Sequence, residues 1–165
     1  MKLKMLAVAS LVALTSLSSH AANTNWGSHD LLESSLGLTS GGLVFDTFTF
    51  SLASTSSVAS SVSSVGTFAP ATYSLFNLGA DGLVGTADDS ATPYAWTFGG
   101  APTVHTVTLG AGSYYYAVLG FAPSTAAYSI NSAATAVPVP EPETYAMLLA
   151  GLGVVGFVAR RRKSS

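Results

Sequence analysis

The chain has 165 residues, with 6 Lys and Arg against 8 Asp and Glu and no cysteine. All six cations lie at the ends (Lys2, Lys4, Arg160, Arg161, Arg162 and Lys163), so residues 22–159 hold every acidic side chain and no Lys or Arg. That balance repels phosphate backbones and excludes nucleic-acid binding, and the missing thiol excludes disulfides, cysteine-held metals and thiol catalysis.

The first 21 residues read as a secretory signal peptide. Lys2 and Lys4 give a positive start, Met5 to Leu17 is mostly apolar, and Ser19-His20-Ala21 places small residues at the −3 and −1 positions of a cut after Ala21. Residues 22–137 then form one domain of 116 residues, enough for a modest core without staples.

Ala22 to Gly42 is polar and mixed. Strand patterning begins at Leu43. Phe48, Phe50 and Leu52 alternate with Thr47, Thr49 and Ser51, which is period two with β-favouring residues. Asp46 shares the parity of Phe48 and is expected at the strand entrance, capping a turn or rimming the sheet. Ser51 to Ser64 is Ser-rich, pinned by Val58, Val62 and Val65, and reads either as a weak strand or as a flexible loop.

Gly79 to Asp89 is the acidic loop. Asp81, Asp88 and Asp89 are candidate oxygen ligands for Ca2+, though the spacing is not that of an EF-hand. The alternative is a long hairpin loop turned by Asp81-Gly82. Val104–Leu109 and Ser113–Leu119 flank Gly110-Ala111-Gly112 and read as a hairpin. Tyr114, Tyr116 and Val118 share one face of the second strand. Ala127 to Ile130 reads as a last strand. No stretch of the domain keeps a helical period, so the expected fold is all-β, an antiparallel β-sandwich of jelly-roll-like kind.

No catalytic arrangement stands out. The domain has no Gly-x-Ser-x-Gly elbow, and the acids are too few to favour a paired-carboxylate glycosidase. His29 and His105 are the histidines left after signal removal, and His105 shares parity with Val107 and Leu109. Trp26, Trp96 and Tyr114 to Tyr116 are candidate platforms for sugar rings, with core packing as the alternative. The sequence therefore predicts a non-enzymatic protein. A carbohydrate- or calcium-binding module is the alternative.

Residues 138–165 read as a tail. Pro138, Pro140 and Pro142 keep the backbone extended and remove amide donors. Thr144 to Ala159 is a 16-residue apolar run, roughly 24 Å of helix at about 1.5 Å per residue. It is marginal for a hydrocarbon layer of about 30 Å, and it is expected to be a single transmembrane helix over 144–159. Arg160, Arg161, Arg162 and Lys163 are the membrane stop and stay cytoplasmic by the positive-inside rule.

Val139-Pro140-Glu141-Pro142, the following Glu143 to Gly153 and the closing Arg160-Arg161-Arg162 resemble the PEP-CTERM sorting signal, with Pro140, Glu141 and Pro142 as the motif itself. Val44-Phe45-Asp46-Thr47-Phe48 and Leu109-Gly110-Ala111-Gly112-Ser113-Tyr114 resemble segments of the group named for a Phe-x-Asp-x-Phe pattern, with Val44 where the first Phe would stand. The resemblance implies an exported protein of an exopolysaccharide-making Gram-negative cell. It would be anchored for a time in the inner membrane with its domain in the periplasm. An exosortase-type membrane protease would then process it and deliver it to the cell surface or to the exopolysaccharide (biofilm) matrix.

Overall fold

The structure is a computed structural model that describes residues 21–29, 31–138 and 142–163. The chain divides into two compact units, residues 1–135 and residues 136–165. The first is a β module and the second carries one helix.

Nine strands make up the described part of the module: β1 (Asn23–Ser28), β2 (Glu33–Thr39), β3 (Gly42–Leu52), β4 (Ser56–Val65), β5 (Ala71–Asn77), β6 (Ser90–Thr97), β7 (His105–Leu109), β8 (Gly112–Ala122) and β9 (Ala126–Ala136). They form a five-stranded sheet in the order β1-β3-β8-β5-β6 and a four-stranded sheet in the order β2-β9-β4-β7. The inner faces share one core. Val44, Phe48 and Phe50 of β3, Tyr73 and Leu75 of β5, and Tyr116 and Val118 of β8 meet Val58 and Val62 of β4, Val107 of β7, and Tyr128 and Ile130 of β9. The all-β, sandwich-like expectation therefore holds. Phe48, Phe50 and Leu52 face inward as their alternation predicts, and all are buried.

The expected antiparallel, jelly-roll-like order fails at one edge. β1 runs parallel to β3. A parallel neighbour needs a crossover connection, and β2, which belongs to the other sheet, supplies it. Among the described residues there are nine strands, against the eight of a jelly roll. A second correction concerns residues 104–119. β7 and β8 do not pair with each other; they lie in different sheets. Both strands send apolar residues into the same core, so the chain crosses from one layer to the other at Gly110-Ala111 instead of folding back as a hairpin. Of the connections expected from the sequence, β5 to β6 is the true hairpin, with residues 78–89 as its loop.

The Ser-rich stretch resolves as a strand. β4 lies inside its sheet between β9 and β7, and it buries Ser56, Val58, Ser60 and Val62 on one parity. Its serines are small enough to face the aromatic layer opposite. Tyr73 Oη donates to the Ser60 carbonyl oxygen at 3.4 Å.

The polar stretch before Leu43 contains two strands that the pattern did not reveal. In β2 the leucines point outward, with Leu36 67% and Leu38 63% exposed. Gly37 takes the inward position because the Tyr128 ring fills that space, and a Cβ built at Gly37 would run into it.

Candidate functional site

Three groups of side chains stand out, and the structure treats each differently. The acidic loop after β5 is stapled by its own carboxylates. Asp89 Oδ1 accepts from the Gly79 amide at 2.7 Å and Asp89 Oδ2 from the Gly85 amide at 2.7 Å. Asp88 accepts from the Thr86 hydroxyl at 2.6 Å and from the Asp81 amide at 3.2 Å. Asp81 Oδ1 accepts from the Leu83 amide at 2.8 Å. The Thr86 hydroxyl holds Asp88 below the usual carboxylate range, and the Gly79 amide does the same for Asp89. Tyr115 underlies the loop. Its hydroxyl is pushed up to about 12, first by burial and then by the charge of Asp89. No group of three or more His, Cys, Asp or Glu that could hold a metal occurs among the described residues.

The second group lies in the core. Asp46 was expected at a strand entrance, but it is 1% exposed. Its inward parity carries it under β9, where Tyr128 Oη donates to Oδ2, and the Ala22 amide donates to Oδ1 at 2.7 Å. Burial raises the Tyr128 hydroxyl far above its ordinary value, and the hydrogen bond to Asp46 adds to the rise. Elsewhere in the core, His29 Nε2 lies 2.8 Å from Ser132 Oγ, and Tyr116 Oη lies 3.1 Å from the same oxygen. A Ser–His contact suggests nucleophilic chemistry, but Ser132 is buried, at 1% exposed.

The aromatic candidates are mostly structural. Tyr114 and Tyr116 belong to the core. Tyr115 stacks on Phe76 with centroids 5.0 Å apart. Trp26 packs on Phe48 at 5.3 Å, and its Nε1 donates to Ser35 Oγ at 3.0 Å. Trp96 stacks with His105 at 4.9 Å and with Tyr94 at 6.0 Å, bridging the outermost strands of the two sheets. Trp96 and His105 line a groove of about 480 Å3 together with Thr97 and Thr103.

The tail forms α1 (Pro142–Lys163), 22 residues and about 33 Å long. Pro142 opens the helix, where a missing amide donor does no harm. Arg160 to Lys163 fall in its last turn, where cations suit the helix dipole. The expected span 144–159 thus lies inside a longer helix, but among the described residues no helix is long and apolar enough to cross a membrane. Gly151, Gly153 and Gly156 thin its apolar surface, and both ends of the helix are polar. Pro140 and Glu141 lie outside the described residues, as do Lys2 and Lys4. Ala21 is exposed just ahead of β1.

Residues 138–163 match the model of the PEP-CTERM protein-sorting motif. The chain carries a PEP-CTERM sorting domain. The motif indicates sorting by an exosortase-type system to the surface, and so implies export, recognition by an exosortase membrane protein and a transient membrane anchor. No curated protein matches the chain. Two solved structures are similar to the β-rich part. One is the pre-peptidase C-terminal domain of a collagenase from Bacillus anthracis, with 18% identity, 67% of this chain and 93% of that chain covered, and a TM-score of 0.43. The other is PliG from Aeromonas hydrophila, a periplasmic inhibitor of g-type lysozyme, with 13% identity, 72% and 100% coverage, and a TM-score of 0.36. In the β module, sequence reasoning missed the burial of Asp46 and the Ser132–His29–Tyr116 cluster. The one available signal was the parity that Asp46 shares with Phe48.

Proposed function

We propose that this is a non-catalytic exported module. A signal peptide is removed after Ala21, and residues 144–159 hold the chain briefly in the inner membrane with Arg160 to Lys163 on the cytoplasmic side. An exosortase-type protease then cuts near Pro140 to Pro142, and the β module passes to the cell surface or the exopolysaccharide matrix. The observation that carries this reading is the match over residues 138–163, on a tail that forms a compact unit separate from the module. The sealed position of Ser132 supports the non-catalytic part.

The test is replacement of Pro140, Glu141 and Pro142 by alanine in the native host. The expected result is an unprocessed chain that stays with the membrane fraction. A mature protein of unchanged mass and location would refute the sorting step.

A second reading, carbohydrate binding by the same module, draws on the groove beside Trp96. Uncharged rims of Thr97 and Thr103 over aromatic edges suit a neutral polysaccharide better than an anionic one, because the module has no Lys or Arg. Retention on dextran that is lost in Trp96→Ala would support it, and no retention of the wild type would end it.

A further inference from the structure

We propose that Asp46 is the receptor for the mature N-terminus: the cut after Ala21 turns the Ala22 nitrogen into an ammonium that pairs with the buried Asp46 carboxylate. The inference rests on the export reading above and gives the first cleavage a structural consequence.

The geometry is already in place. The Ala22 nitrogen lies 2.7 Å from Asp46 Oδ1. The Thr47 amide donates to the Ala22 carbonyl oxygen at 2.8 Å, and Asn23 pairs with Thr47 in the parallel β1–β3 ladder. Residue 22 is therefore fixed by strand pairing, and no element has to move for its nitrogen to meet the carboxylate. On the far side Tyr128 Oη donates to Oδ2. Across the ladder β8 sets Val118 opposite Asp46, and the β1 neighbours Asn23 and Thr24 carry no charge.

In the uncut chain this nitrogen is a neutral amide with one N–H. Hydrolysis adds water across the Ala21–Ala22 bond. The water oxygen goes to the Ala21 carbonyl, which leaves as a carboxylate. Ala22 keeps an amine, which takes up a proton near neutral pH because its ordinary pKa is about 7.7–8.0. The contact then becomes a charge-assisted hydrogen bond at a distance typical of N⁺–H···O⁻. A buried carboxylate is tolerated best when a charge is paired with it. Residues 22–159 contain no Lys or Arg, so, histidine aside, the new α-ammonium is the one cation the module gains.

The experiment compares two full chains in detergent. One begins at Ala22, freed from a removable N-terminal fusion, and the other keeps Gly-Ser ahead of Ala22. At pH 7 the chain with the free Ala22 is expected to melt higher by about 4–8 °C. Pairing raises the pKa of the ammonium in the folded state. Its stabilisation is therefore full below the unfolded value of about 8 and is lost as pH rises through the folded value. The two curves should converge at high pH, once the ammonium has lost its proton, and Asp46→Asn should abolish the difference at every pH. Should Asp46→Asn fail to fold, acetylation of Ala22 in the otherwise unchanged chain gives the same comparison. Coincident melting at pH 7 would overturn the pairing. Mass spectrometry of protein from the host reads the cleavage separately. Ala22 as first residue is expected; an intact chain in the cytosol would sink the export reading, and a different first residue would sink the proposal in the cell.

Discussion

Val58 and Val65 sit on the same strand and differ almost wholly in burial, 0% against 78% exposed. Val→Ala at either site makes the same chemical change, the loss of two methyl groups, so the difference between the two variants reports mainly on burial. At Val58 the transfer loss is about 0.8 kcal/mol per carbon, or about 1.6 kcal/mol. The unfilled space raises it to about 2–3 kcal/mol. At Val65 the change should stay within about 0.5 kcal/mol. A module of this size has about 6–17 kcal/mol of stability in total, so both variants should fold. Urea unfolding of residues 22–137, followed by tryptophan fluorescence, is the assay. With slopes of about 1–3 kcal/mol per molar, Val58→Ala should lower the midpoint by about 0.7–3 M and leave the slope unchanged. Equal midpoints for the two variants would refute the placement of the Ser-rich strand inside the sandwich.

Gly37→Ala should destabilise the module by about 1–3 kcal/mol, because the new methyl meets the buried Tyr128 ring and that ring is tied to Asp46; thermal melting checks it. Asp89→Ala frees the Gly79 and Gly85 amides and should open residues 78–89 to proteolysis while global melting changes little. Both Asp88 and Asp89 are held below their ordinary values, so their contribution is complete above about pH 4 and fades as pH falls through the folded values. Pepsin cutting at the exposed Leu83 should rise sharply below that point. Calcium at millimolar concentration should leave the melting temperature unchanged, because amides already occupy acceptor positions of all three aspartates; a rise of several degrees would make the loop a calcium site.

β3 was legible because its inward aromatics alternate strictly with Thr and Ser. The tail was legible because its motif is an ordered string that needs no tertiary partner. β4 was ambiguous because serine is at home both in loops and beneath a tyrosine layer, and only the residues opposite decide. β2 was hidden because Gly37 yields its inward place to Tyr128, which leaves the leucines on the wrong parity. The false hairpin has the same origin. A local pattern reports that two segments are strands, not which strands they pair with. Asp46 lay beyond reach for that reason too, since Tyr128 comes 82 positions later.

The last strand of the module sits in the interior of its sheet. β9 separates β2 from β4, and Ser34 finds its partner Asn131 97 positions away. Closing such distant pairs is slow, and early segments gain little from one another before the late one arrives. A polypeptide wired in this way remains a thread until almost its whole length has emerged, which is the state a narrow translocation channel requires of its passenger.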